Sequence, residues 1–180
     1  MKKIILTVAA VFAFGFTNAQ EMKFGVKAGY VNSNYGGDAD DGDANSGFYF
    51  GGLMDLSISE KFHFQPEVLY TMEGNGEDEF NLNFVRIPLM AKYYVAEAFS
   101  IHAGPQLGFV AGGGEAKEFM KSFDFGVGFG AGYELPSGLF FDARYNLGLS
   151  DLNDFPAGSG FESAKITQNS FNIGLGYKFN

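Results

Sequence analysis

The sequence contains no cysteine and no tryptophan, and it has only 2 histidines and 5 prolines. Without cysteine there is neither a disulfide framework nor a thiolate metal centre. His63 and His102 alone are too few for a histidine-built zinc site. Basic residues are scarce too: 12 Lys and Arg stand against 21 Asp and Glu, a formal net charge of −9. This balance argues against nucleic acid as a partner, because nucleic-acid binders carry basic patches. No apolar run approaches the roughly 20 residues that a spanning helix needs. The longest, Ile4 to Phe16, is interrupted by Thr7 and Gly15. It follows Lys2 and Lys3 and precedes the small residues Thr17-Asn18-Ala19. That order predicts a signal peptide over residues 1–19, cleaved after Ala19, and a single exported domain over 20–180. Loss of Lys2 and Lys3 would leave the mature chain at −11. No cysteine follows the cleavage point to carry a lipid anchor.

What the chain does have is 26 glycines, 22 phenylalanines and 9 tyrosines. The run "FDFGVGFGAGYEL", residues 123–135, places glycine at 126, 128, 130 and 132 with large apolar residues between. It is not a dinucleotide loop, because Ala131 stands where the third glycine is needed, and no Gly-Lys-Ser/Thr occurs anywhere in the chain. Its period of two is that of a β-strand with one bulky and one bare face.

Eight segments share that period: 23–32, 47–58, 62–72, 83–95, 99–111, 123–135, 139–149 and 170–179. Short connections (59–61, 96–98, 135–138) alternate with longer polar ones near 33–46, 73–82, 112–122 and 150–169. An even number of segments about ten residues long, joined by alternating short turns and long loops, predicts an all-β, eight-stranded, antiparallel up-and-down transmembrane β-barrel. The competing fold is a soluble barrel of lipocalin type with its apolar face inside. The apolar face carries Phe24, Phe48, Phe50, Phe64, Phe109, Phe125, Phe129, Phe141, Phe171 and Phe179, too many rings for the interior of eight strands. Turned outward, the rings face lipid, and Tyr30, Tyr70, Tyr93, Tyr133, Tyr145 and Tyr177 supply the interfacial girdles. Pro66, Pro88 and Pro105 fall inside segments, where bulges or bends are expected.

The inward set then reads Lys27, Asp55, Glu67, Arg86, Lys92, His102, Gln106, Asp142, Arg144, Asn146, Asn172 and Lys178. Charges of both signs in a narrow low-dielectric lumen should pair. Glu67, Arg86, Asp142, Arg144 and Lys178 are expected to form a network that plugs the barrel. The tight "LPSG" turn sets Gly128 beside Arg144 and Gly130 beside Asp142. The last hairpin sets Asp142 beside Lys178, and the third and fourth segments bring Glu67 within diagonal reach of Arg86.

"QPEVLY", "VRIPLMAKYY", "HAGPQLG", "FDARYNLGLSD" and "NIGLGYKF" together resemble the outer-membrane β-barrel family common in Bacteroidota, which includes PorT-like proteins and matches OmpA-like eight-stranded barrels in size. The resemblance spans essentially the whole mature chain. It implies an eight-stranded outer-membrane barrel and no activity. Asn180 follows the terminal aromatic Phe179, where many barrels end on the aromatic itself.

Other chemistry is thin. Asp38, Asp40, Asp41 and Asp43 could gather a divalent cation through oxygens, but an EF-hand counted from Asp38 has Asp43 at its sixth position and Tyr49 at its twelfth. A solvated loop is the default, and neither metal nor cofactor is expected. Ser100 and His102 lie on one strand face with Cβ atoms ~7 Å apart, without an evident acid or oxyanion hole, so no enzyme is expected. The expected function is a structural or interaction role in the cell outer membrane, in envelope integrity or as a secretion accessory. Its partners are outer-membrane lipids and a protein held by external loops 33–46, 112–122 and 150–169, where Phe155 and Phe161 could anchor that protein or dip toward lipid. The rivals are a narrow channel, a lipid-modifying enzyme and a soluble ligand-binding barrel.

Overall fold

A computed structural model describes residues 21–38, 44–73, 82–113, 120–155 and 164–179. The signal segment 1–19, Asp40, Asp41, Asp43, Phe161 and Asn180 lie outside the described residues, as do parts of the three long loops named above. The strands are β1 (Met22–Gly37), β2 (Ala44–Ser57), β3 (Phe62–Glu73), β4 (Leu82–Tyr94), β5 (Phe99–Gly113), β6 (Phe123–Glu134), β7 (Leu139–Gly148) and β8 (Ile166–Phe179). Each pairs antiparallel with its sequence neighbour, and β8 closes on β1. Closure leaves no strand edge, the condition for a β-structure in hydrocarbon.

The register fixes the shape. Stepping between facing residues from Met22 through Leu56, Phe64, Ala91, Ala103, Phe129, Tyr145 and Phe171 returns to β1 at Asn32, ten positions beyond the start. At about 3.3 Å per residue and about 4.8 Å between strands, that stagger tilts the strands by roughly 40°. The lumen is wide enough for side chains and little else.

Alternation sorts the residues as the bulky rings require. Phe48, Phe50, Phe129 and Phe179 are half or more exposed on the outer wall. All twelve residues of the inward set are buried. Rings also meet across strands outside, as in Phe129 and Tyr145 (5.6 Å) and Phe109 and Phe123 (5.5 Å). Tyr93, Tyr133 and Tyr177 sit near the short-turn ends of their strands, where an interfacial girdle belongs. A soluble barrel with its rings inside does not fit this arrangement.

Four expectations need correction. First, the wall is taller at the long-loop end than the periodicity suggests. Residues 33–37, 44–46, 112–113 and 166–169 are strand rather than loop. Second, the β6–β7 register differs by two: Gly128 faces Asn146, Gly130 faces Arg144 and Gly132 faces Asp142. Gly138 causes the slip. It adopts φ +89°, donates to the Leu135 carbonyl and leaves Leu139 as the first paired residue of the turn. Third, Asp142 faces Gly174 and not Lys178. Fourth, the prolines do not shift the register. Pairing lapses beside them, between Pro66 and Leu69 on β3 and between Pro88 and Ala91 on β4, and resumes in step. A missing N–H removes one rung without inserting a residue. The register shift in β4–β5 lies instead between Asn83 and Phe84.

Candidate functional site

The candidate site is the lumen, where charged side chains gather at three levels. At mid-height are Lys27 from β1, Glu67 from β3, His102 from β5, and Asp142 and Arg144 from β7. Arg144 clamps Glu67 with both terminal nitrogens, at 2.7 and 3.1 Å. Lys27 donates to Asp142 at 2.7 Å and lies 3.5 Å from Glu67. His102 Nε2 lies 3.3 Å from Arg144 Nε and 3.3 Å from Asp142 Oδ2. Two cations thus meet two carboxylates, all nearly inaccessible to solvent. The bidentate geometry is the strong form of this pairing. It joins strands from opposite parts of the wall, so the side chains span the bore.

The second level lies toward the long loops. Arg86 donates to Glu73 (3.1 Å), Asp124 (2.8 Å) and Gln168 (2.9 Å), and its guanidinium stacks 4.3 Å from the Phe84 ring. Thr71 and Gln168 donate to Glu73, and Ser150 donates to Asp124. The third level lies toward the short turns. Lys178 bridges Asp55 and Glu134 (the latter at 2.6 Å), His63 Nδ1 meets Asp55 at 2.6 Å, and Tyr94 donates to Glu134 at 2.5 Å.

Of the five residues expected to form one network, the structure brings Glu67, Asp142 and Arg144 together. Arg86 and Lys178 belong to the other two levels, with partners of their own. Glu67 finds its guanidinium on β7 rather than β4, because a narrow bore makes the strand across the barrel as near as the strand alongside. Sequence reading missed Glu73, Asp124, Glu134 and Gln168. They sit at or near strand ends, where a polar residue reads as the start of a loop. It also missed an apolar component of the lumen: Val31, Tyr49, Leu53, Leu69, Phe84, Met90 and Phe140 are buried inside.

Bare glycines make room for these groups. A Cβ on Gly130 would lie 2.7 Å from His102 Nε2, and one on Gly128 would lie 2.6 Å from Asn146 Oδ1. Gly29 and Gly174 flank the Tyr49 hydroxyl, and Gly176 lies under the Phe140 ring. Ser100 donates to the Gly132 carbonyl at 3.4 Å and, like His102, is buried in the lumen. Neither residue faces the bilayer. Near the short turns, Ser57 and Asp55 both approach the same nitrogen of His63, so they do not make a nucleophile–base–acid relay. Among the described residues no group of three or more His, Asp or Glu is arranged to hold a metal.

The long-loop end is strapped. The Leu152 carbonyl accepts from Lys121 N (2.9 Å), Leu152 N donates to the Ile166 carbonyl (2.7 Å), and the Leu152 side chain is fully buried. Asp151 is the hub. Its Oδ1 accepts from Ile166 N at 3.0 Å and Asn153 N at 3.1 Å, and its Oδ2 lies 3.6 Å from Lys121 Nζ. The Ile166 N–H, helped by that of Asn153 and by the Lys121 charge, holds the Asp151 carboxyl below the usual carboxylate range. A depressed folded value means that the carboxylate supports the strap above the ordinary aspartate pKa and stops doing so as pH falls through the lowered one. Protection of the Ile166 and Asn153 amides from exchange, taken relative to the intrinsic rate at each pH, is therefore expected to hold at neutral pH and to fall as pH drops below the ordinary aspartate value. Asp151→Ala should show the lower protection at every pH.

Comparison with known proteins agrees with this architecture. The family model described as outer membrane protein beta-barrel domain matches residues 18–154. No curated protein matches the chain. Among solved structures, the chain is similar to Ail, the attachment invasion locus protein of Yersinia pestis, at 16% identity and TM-score 0.56, covering 88% of this chain and 99% of that one. It is also similar to Neisserial surface protein A, at 19% identity and TM-score 0.54, covering 87% and 97%. A third is the outer membrane enzyme PagL, at 14% identity and TM-score 0.60, covering 84% and 98%. At these identities the similarity shows the fold.

Proposed function

The chain belongs to the outer membrane β-barrel domain family and is an outer-membrane barrel, and from that premise we propose that it is a sealed one, acting through what it displays and not through what it conducts or catalyses. The observation that carries this reading is the mid-lumen clamp, in which Arg144 holds Glu67 while Lys27 holds Asp142. A conducting pore needs a continuous wet path, and here paired, buried side chains fill the bore at mid-height. The same fold serves an attachment protein, a surface protein and an enzyme, so the fold alone does not choose among roles. What favours a non-enzymatic role is that Ser100 and His102 are turned away from the bilayer, where a lipid substrate would lie.

The surfaces left for function are the outer wall, which takes outer-membrane lipid, and the long connections 38–43, 114–122 and 149–165, which take a protein partner. A role in envelope integrity or as a secretion accessory fits such a display scaffold, and kinship with PorT-like barrels of Bacteroidota is part of the same proposal. Purified protein in planar bilayers is expected to give no stepwise conductance above the bare-membrane level. Regular large-current steps would overturn the sealed reading and favour the channel.

A further inference from the structure

Among the described residues, the two ends of the lumen differ. At the short-turn end, which faces the periplasm in outer-membrane barrels, an open cavity of about 660 Å³ is lined by Lys61, His63, Tyr94, Glu134, Leu135 and Lys178. Behind Glu134 lies a second, more enclosed space of about 10 Å³, lined by Gln65, Lys92, His102, Glu134 and Asp142 among others. Glu134 borders both. The small space is about what one water molecule needs, provided that two or more polar partners surround it.

The partners are there. Gln65 Oε1 is buried and has no hydrogen-bond partner among the described residues, while Gln65 Nε2 donates to Glu67 at 2.8 Å. That donation fixes the amide orientation, because a flipped amide would set its oxygen against a carboxylate. Lys92 Nζ lies 3.4 Å from Glu134 and over the Tyr94 ring, and its three N–H groups leave donors to spare. Asp142 and His102 close the inner side. The long-loop end offers the contrary picture, with Leu152 buried beneath its strap and Arg86 tied to three partners.

We infer that the lumen is a one-sided vestibule: water and small cations enter from the periplasmic mouth, pass Glu134 and reach an ordered water site on Gln65 Oε1, and go no further. The water donates to Gln65 Oε1 and accepts from Lys92, joining the periplasmic level of charges to the mid-lumen level. The inference rests on the sealed-lumen reading, since the Lys27, Glu67, Asp142 and Arg144 cluster forms the floor of the vestibule. It adds sidedness, which that reading lacks.

The absence of cysteine makes the test direct. Gly132→Cys places a thiol at the small space, where a Cβ would meet its nearest neighbours at 3.3 Å. Ser100→Cys, nearly isosteric, reports the adjacent position if the first variant does not fold. Full-length protein is reconstituted in liposomes, and its orientation is established by protease cleavage of the long loops. Silver ion is applied from one side only, and free thiol is then counted by alkylation in denaturant and mass spectrometry. Protection at least tenfold faster from the periplasmic side is expected, with Thr71→Cys in the opposite half protected from neither side. Protection of the 132 and 100 thiols from neither side would overturn the vestibule and leave the seal standing. Protection from the long-loop side as well would overturn both. A high-resolution crystal structure should show a water within hydrogen-bond distance of Gln65 Oε1, and a dry space there would also count against the inference.

Discussion

Glu67→Ala is expected to destabilise the folded barrel by about 3–5 kcal/mol, the range for breaking a buried ion pair from one side. Glu67 is fully buried and holds both terminal nitrogens of Arg144, and Lys27 shares the same carboxylate. Its removal leaves the guanidinium with His102 at 3.3 Å and, for a carboxylate, Asp142 at 3.6 Å, while Lys27 competes for Asp142 at 2.7 Å. Two cations would then share one carboxylate in a low-dielectric bore. Glu67→Ala combined with Arg144→Ala should recover part of the loss, because one cation again meets one carboxylate. Urea unfolding in liposomes, followed by heat-dependent gel mobility, reads both. If the single and double variants lost the same stability, Glu67 would be a space-filler and the pairing argument would fail.

The second large effect concerns the glycine column. Gly130→Val should prevent barrel assembly or leave a small folded fraction. A Cβ there meets the Arg144 backbone at 2.9 Å and His102 at 2.7 Å. Because backbone cannot move aside as a flexible side-chain tip can, the overpacking should exceed the usual 1–3 kcal/mol for one added group. Val127→Leu, three positions earlier on the lipid face, should be tolerated. The folded fraction after refolding into detergent, read as a gel-mobility shift, separates them. Equal tolerance would place the strand the other way round.

Much of the fold could be read because one physical pattern repeats eight times. Period-two alternation with rings on one face leaves few arrangements in which both faces are satisfied, and the outward-facing barrel is one of them. The polar inward set followed from the same alternation. The register did not, because it depends on turn geometry that sequence states only loosely. Gly138 at positive φ shifted one hairpin by two, and the long loop before β8 set no register at all. Partner choice inside the lumen then followed the register and the bore. Glu67 meets Arg144 only because β3 and β7 face each other across a narrow cylinder, a relation that no local pattern carries. Tyr49 and Leu69 were hidden for a different reason. Each sits between outward apolar neighbours, Phe48 and Phe50 or Val68 and Tyr70, so both faces read as apolar and the inward residue does not stand out.

Everything proposed for the lumen depends on which face of the wall meets lipid. Val68 and Leu69 are adjacent in the chain, with Val68 57% exposed on the outer wall and Leu69 2% exposed inside. Methyl NMR of the native barrel in nanodiscs containing spin-labelled acyl chains measures this directly. The account predicts broadening of Val68, Ile173 and Leu175 while Val31, Leu53 and Leu69 stay sharp. Broadening of Leu69 with Val68 unaffected would contradict it.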